Sequence, residues 1–309
     1  MNVSLSSHSS SPFPAVAATW MLFLSVPGIL TNWLVVLLTL TDQELRSDGV
    51  YKWYLFNLAL VDLIFAGNFQ LQAYLIVNPQ NQGVLCYLAA AIMVAGMPAV
   101  NWALLPVMVN RLISLSCPNY YDQIYTIRNV FLSCFFFAFL LPVAYILPIG
   151  IGALGKGALL CALTMKARNH PTYQSRLETL SYTIIIAYLL IFSTGFAVNR
   201  KVKQRERLQM NLQQRQALQQ TRELSKTTLF QAIAPLIVQL PGFLTWVYLE
   251  RLYPKGEHSY MGLDVLISTG IWSSPTIDAI CTLYIIKPYR RALKRLLDRF
   301  GSSNLVHAL

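Results

Sequence analysis

Residues 15–41, AVAATWMLFLSVPGILTNWLVVLLTLT, contain no charged side chain, and Asp42 is the first charged residue of the chain. About 20 apolar residues in a helix cross the roughly 30 Å of a bilayer's hydrocarbon, so this stretch is long enough to span it. It is also far longer than the apolar region of about 7–15 residues in a cleaved signal peptide. The Ser-rich segment 1–14 before it supplies no basic flank. The stretch is therefore read as a retained span behind an N-terminal tail.

Windows of similar length recur outward from it. They cover 53–77, interrupted by Asp62; 84–109, after the turn cluster Asn78-Pro-Gln-Asn-Gln-Gly83; 129–154; 179–198; 227–249; and 264–286, with Asp278 inside. The expected fold is an all-α membrane protein, a seven-transmembrane helix bundle over 15–286. Composition agrees, since 55% of residues are hydrophobic and only 12% charged, against about 25% charged in soluble domains. An ordinary cytosolic enzyme is excluded.

The net charge of +11 is a topology signal. With the N-terminus outside, eighteen of the 24 Lys and Arg fall on the cytoplasmic side, as the positive-inside rule requires. Residues 1–14 then form an extracellular tail whose Asn2-Val3-Ser4 sequon makes Asn2 a glycosylation acceptor. An odd number of spans places 287–309 in the cytoplasm. Basic residues so distributed give no reason to expect a nucleic-acid partner.

The five cysteines sort by side. Cys134 and Cys281 are mid-span and Cys117 is cytoplasmic, which leaves Cys86 and Cys161 facing the oxidising exterior. Bridged, they would pin the second outer loop to the third span and stabilise by about 2–4 kcal/mol. Unbridged, they are two free thiols that happen to lie outside.

Asp62 and Asp278 lie deep in apolar windows, where a carboxylate costs at least about 2.5–3.5 kcal/mol. Both must face the bundle interior, with Asn32 and Asn101 as candidate partners. Two readings stand: a polar cluster, ion- or water-filled, that switches as the bundle rearranges, or simple interhelical glue. Arg111, after Asn110 at the inner end of the third span, either snorkels to phosphate or serves as a functional group set one helix length below Cys86.

Those residues together resemble the rhodopsin-like G-protein-coupled receptors. Asn32 is similar to the family's first-helix asparagine, and Leu58-Ala59-Leu60-Val61-Asp62 to its second-helix Leu-Ala-x-x-Asp. Asn110-Arg111-Leu112 stands where that family carries an acidic residue, Arg and Tyr, so only the arginine matches. A fourth-helix Trp, a fifth-helix proline and a Trp before the sixth-helix proline are absent, which sets the chain apart from close rhodopsin relatives. A nearer resemblance is to nematode seven-transmembrane chemoreceptors, the serpentine receptors of the Str superfamily, in its class d and str-like branches. It rests on Leu229-Phe-Gln-Ala-Ile-Ala-Pro235 with Pro241, on Pro275-Thr-Ile-Asp278-Ala, and on Tyr284-Ile-Ile-Lys-Pro-Tyr289-Arg290.

The resemblance implies a plasma-membrane receptor, including that of a sensory cilium, serving olfaction. Its partners would be a small-molecule ligand and a heterotrimeric G protein, with Arg111, Asn110, Tyr289 and Arg290 at the coupling face. It also implies hinges at Pro235, Pro241 and Pro275, although static kinks are equally common in membrane helices. A ligand pocket between outer halves would draw on Gln70, Tyr74, Met93, Met97, Tyr182, Trp246, Ser268 and Trp272, residue types that any bundle core also holds. So weakly charged a lining favours small, neutral or volatile compounds.

From Tyr289, apolar residues recur at Leu293, Leu296, Leu297 and Phe300 with bases between them, the pattern of a short amphipathic interfacial helix on an anionic inner leaflet. The basic loop 199–226 anchors the bundle inside, or docks a partner as well. Two other classes compete. A seven-helix ligand-gated channel or transporter remains open, although repeated halves are not evident. An enzyme is not expected: His8, His170, His258 and His307 all lie outside the spans, so no buried metal cluster forms, and no lysine sits within the seventh span to hold a cofactor. No cofactor or metal is anticipated, and oligomeric state is not legible.

Overall fold

The computed structural model describes residues 13–47, 50–78, 84–144, 171–206 and 261–306, with 218–219, 222, 226, 229–230, 233–234 and 236–238 between the last two blocks. Among the described residues every regular element is helical. The first span is Phe13–Thr41, the second Tyr51–Val77, the third Val84–Ser116, the fifth Pro171–Glu206 and the seventh Met261–Ile285. The fourth begins as Ile127–Phe135 and passes through a π-helical turn, Phe136–Leu140. It remains helical to residue 144. Five described helices are long and apolar enough to cross a membrane: Ala15–Thr41, Tyr51–Val77, Ala95–Ser116, Ile127–Ala144 and Tyr182–Glu206.

Two spans run well beyond the sequence reading, while the first, second, fourth and seventh begin only two or three residues before it. The third span continues past residue 109 to Ser116, carrying Asn110 and Arg111 inside the helix, and the fifth extends beyond 179–198 at both ends. The added residues include Lys201, Lys203, Gln204, Arg205 and Glu206, all good helix formers, so hydropathy ends before the helix does. Charge-free windows measure the apolar slab, and the helices project from it.

Short connections shape the end of the bundle after the first and third spans. Gln43–Ser47 forms one helical turn, with the Asp42 carboxylate accepting from the Leu45 amide at 3.0 Å. Pro118 opens a second short helix, Pro118–Ile124, where a missing N–H costs nothing. Thr126 caps the fourth span by accepting from the Asn129 amide at 3.3 Å.

The first span packs on the second and the seventh, the second on the third, and the third on the fifth. A central core joins Leu58, Phe65, Phe69, Met97, Leu104, Met108, Tyr188, Ile191 and Trp272. A separate inner layer joins Val35, Leu38, Tyr51, Leu55, Ala279, Leu283, Ile286 and Tyr289. Phe23, Leu30, Trp33, Leu189 and Phe196 are exposed, as lipid-facing positions of a bundle should be.

The expected interfacial helix is present as Lys287–Val306. Tyr289 and Ala292 bury against the inner layer, while Arg290, Arg291 and Lys294 stay exposed. Arg295 reaches across to the turn after the first span, where it forks onto Asp42 at 2.8 and 2.9 Å and also meets Glu44. A cleft of about 350 Å³ between these two elements is lined by Leu38, Gln43, Ala292, Leu296 and Arg299 as well as the ion-paired residues.

Candidate functional site

The polar core is built on the first, second, third and seventh spans. Asn32 is fully buried because its helix presents it to the seventh span, and its amide donates to the Gly28 carbonyl at 2.9 Å and to the Pro275 carbonyl at 2.8 Å. Asp62 and Asp278 are equally buried, and all four of their carboxyl oxygens lack a hydrogen-bond partner. The two groups interact electrostatically with each other, and Asp278 does so with the Tyr188 phenol, whose oxygen is also unpartnered.

The expected pairing of these aspartates with the asparagines is not what forms. Asn32 spends its amide on backbone carbonyls, and Asn101 donates to Met97 of its own helix at 2.9 Å while its Oδ1 stays unpartnered. A backbone carbonyl has a second lone pair beyond its helical bond, so it competes with a carboxylate for the amide. The result is a set of buried polar atoms, the Asp62 and Asp278 carboxyls, the Asn101 Oδ1 and the Tyr188 hydroxyl, without hydrogen-bond partners among the described residues. Buried groups of this kind hold water or an ion, or change partners when the helices move.

The inner end of the third span carries a second cluster. The Asn110 amide donates to the Tyr121 hydroxyl at 3.1 Å, so the short helix after Pro118 folds back on the span it leaves. Arg111 is 8% exposed, and its guanidinium carbon lies 4.7 Å from the centroid of the Tyr51 ring. It does not snorkel away from the bundle. Tyr289 is completely buried, its hydroxyl 2.8 Å from that of Thr39, which itself donates to the Val35 carbonyl. Arg290, its neighbour, is exposed on the C-terminal helix.

Toward the outer side, Met97 and Trp272 are buried in the central core and Met93 packs on it. Gln70 is half-buried, whereas Tyr74 is 47% and Tyr182 60% exposed. Pro275 lies inside the seventh helix without ending it. Trp246, Pro235, Pro241, Cys161 and Asn2 lie outside the described residues, as do the side chains of Cys86 and Ser268. Among the described residues, no group of three His, Cys, Asp or Glu converges to hold a metal ion.

Residues 31–269 match the family model of the 7 transmembrane receptor (rhodopsin family). The chain belongs to that family. The receptor's match takes in the first-span Asn32, the second-span Asp62 and Arg111 together, so the departures at Asn110, the fourth span and the fifth span vary the pattern without removing the chain from it. No curated protein matches the receptor.

Sequence reasoning missed Tyr51, Tyr121, Thr39 and Tyr188, each of which touches or faces a residue it had chosen. Tyr51 and Tyr121 carried no signal, since neither sits at a fixed spacing from Arg111 that periodicity would flag. The Asp42–Arg295 pair joins the first charge of the chain to the C-terminal helix, across a distance in sequence that only the bundle closes.

Proposed function

We propose that the receptor is chemosensory, with its N-terminus outside and its C-terminus in the cytoplasm of the plasma membrane. It binds a small neutral or volatile ligand from the outer side and signals by helix rearrangement to a heterotrimeric G protein. One observation carries this reading: the uncompensated carboxyls of Asp62 and Asp278 sit between the outer-half candidates Met97 and Trp272 and the inner cluster around Arg111. A ligand that favours one arrangement of that polar core over another shifts the bundle by its differential affinity.

In this reading Met93, Met97, Trp272 and Gln70 line the pocket with Trp246 and Ser268, and Tyr74 and Tyr182 contribute at its lipid-facing margins. Asn110 and Arg111 bear on the G protein with Arg290, and Tyr289 fixes the cytoplasmic helix on which Arg290 is presented. That helix rests on the anionic inner leaflet through its exposed bases. A Cys86–Cys161 bridge, Asn2 glycosylation, hinge motion at Pro235, Pro241 and Pro275, and membership of the nematode Str branch complete the proposal.

The test is a topology map joined to a coupling assay. Different epitope tags on the two ends, stained before and after permeabilisation, should show the N-terminus outside and the C-terminus inside. The full-length protein in vesicles should then raise nucleotide exchange on at least one heterotrimer when a panel of volatile compounds is applied, and Arg111→Ala should abolish that rise at unchanged surface expression. The reverse topology would place Arg111 and the basic loop outside, defeat the coupling reading and favour a ligand-gated channel.

A further inference from the structure

Arg111 is buried against a ring. Its guanidinium lies over Tyr51, the first residue of the second span, at a distance within the roughly 6 Å of an effective cation–π contact. Tyr51 is itself only 6% exposed, because its body belongs to the inner apolar layer with Leu55, Ala279, Ile286 and Tyr289. One side chain therefore touches both the third-span arginine and the packed layer shared by the first, second and seventh spans and the cytoplasmic helix.

We propose that Tyr51 is an aromatic latch: it holds the Arg111 guanidinium against the inner end of the second span, withholds it from a cytoplasmic partner, and releases it when the seventh span and the cytoplasmic helix repack. This deepens the receptor reading above and rests on it. The sequence places an asparagine, not an acid, immediately before Arg111, and that Asn110 is engaged by Tyr121. A ring face attracts the guanidinium through its quadrupole without a titrating group. Packed layers move between discrete arrangements instead of deforming continuously, so a shift of Ile286 and Tyr289 is transmitted to the ring as a whole. With Arg111 8% exposed, little of its side chain is open to a partner in this arrangement.

The experiment uses the purified full-length chain. Its arginines are modified with phenylglyoxal and the rate at Arg111 is read by peptide mass spectrometry, with Arg295 followed in the same sample to report the fold. Tyr51→Phe keeps the ring face and should leave Arg111 as slow as in the parent. Tyr51→Leu and the longer, unbranched Tyr51→Met remove the face and should raise the Arg111 rate on the order of tenfold, with Arg295 unchanged. If Tyr51→Leu alters Arg295 as well, Tyr51→Met decides. An Arg111 rate equal to the parent's in the ring-free variant overturns the latch.

The same variants are then assayed for ligand-independent nucleotide exchange on a panel of heterotrimers. Exchange raised in the ring-free variants supports the release step. A faster Arg111 with no added exchange, where the parent does drive exchange, overturns it. Shielding lost as expected with no exchange from any variant or the parent upholds the hold on Arg111 and fails the receptor reading instead.

Discussion

The Asn32 amide spans two helices: it donates to Gly28 one turn back on its own helix and to the carbonyl of Pro275 on the seventh span, 2.8 Å away. Both acceptors lie at or beside a proline inside a continuous helix, Pro27 in the first span and Pro275 in the seventh. The asparagine stitches the two helices together at these prolines. Replacing it with Leu leaves the Pro275 carbonyl without this donor and should lower stability by about 1–2 kcal/mol. Thermal unfolding of the detergent-purified protein checks this, and an unchanged midpoint would show that the carbonyl finds another donor.

Gly270 and Gly67 make opposite predictions for the same substitution. A methyl group at Gly270 would stand 2.1 Å from the Val238 carbonyl oxygen, and the obstacle is backbone, which cannot swing aside. At Gly67 the same methyl meets nothing within 4 Å. Gly270→Ala should therefore separate the sixth and seventh spans and reduce folded yield, whereas Gly67→Ala should be neutral or stabilise by up to about 1 kcal/mol through helix propensity. Size-exclusion profiles and unfolding midpoints of the two variants give the comparison.

Asp62 and Asp278 carry carboxyls that no group among the described residues hydrogen-bonds. An amide of the same shape removes the potential charge and its desolvation, so Asp62→Asn or Asp278→Asn should leave the melting temperature equal or higher. If the polar core is the switch, either variant should still change ligand-driven exchange. If the two aspartates are glue alone, unfolding and signalling should fall together.

The clamp between Asp42 and Arg295 sets a pH dependence. Burial works against ionisation of Asp42, but the Leu45 amide and the Arg295 fork outweigh it and hold the carboxyl below its ordinary range. A carboxyl depressed in the folded state stabilises fully above the unfolded value near 3.9, and that contribution fades as pH falls through 3.9 and is gone below the folded value. Arg295 is 38% exposed on its side chain, so screening limits the pair to about 0.5–1 kcal/mol. Unfolding midpoints should lose part of their slope between about pH 5 and 3 in Arg295→Gln, and high salt should weaken the parent toward the variant.

How far the sequence anticipated this structure depends on which force set each feature. The spans were legible because hydrocarbon imposes a length and an exclusion of charge, which residues 15–41 display directly. The burial of Asn32, Asp62 and Asp278 was legible for the same reason, since polar groups in such windows must face inward. Their partners were not, because Asn32 bonds a backbone carbonyl, and every residue has one. The short helices Gln43–Ser47 and Pro118–Ile124 were also missed, as one or two turns carry too few positions for a period to show. Tyr51 escaped because its role comes from where the second span begins relative to the third, a relation fixed by packing across the bundle.

The fourth span shows how one unusual turn can keep a face aligned. Its buried positions, Val130, Cys134, Ala138 and Pro142, recur every fourth residue. In an uninterrupted helix of 3.6 residues per turn, a stripe of period four drifts by about 40° at each step and winds off its neighbour within a few turns. The π turn at Phe136–Leu140 takes up more than four residues in one revolution and turns the stripe back. A helical wheel drawn through this segment would assign residues beyond Leu140 to the wrong side. Scanning mutagenesis of the outer half of this helix should therefore be read with its register offset by one residue.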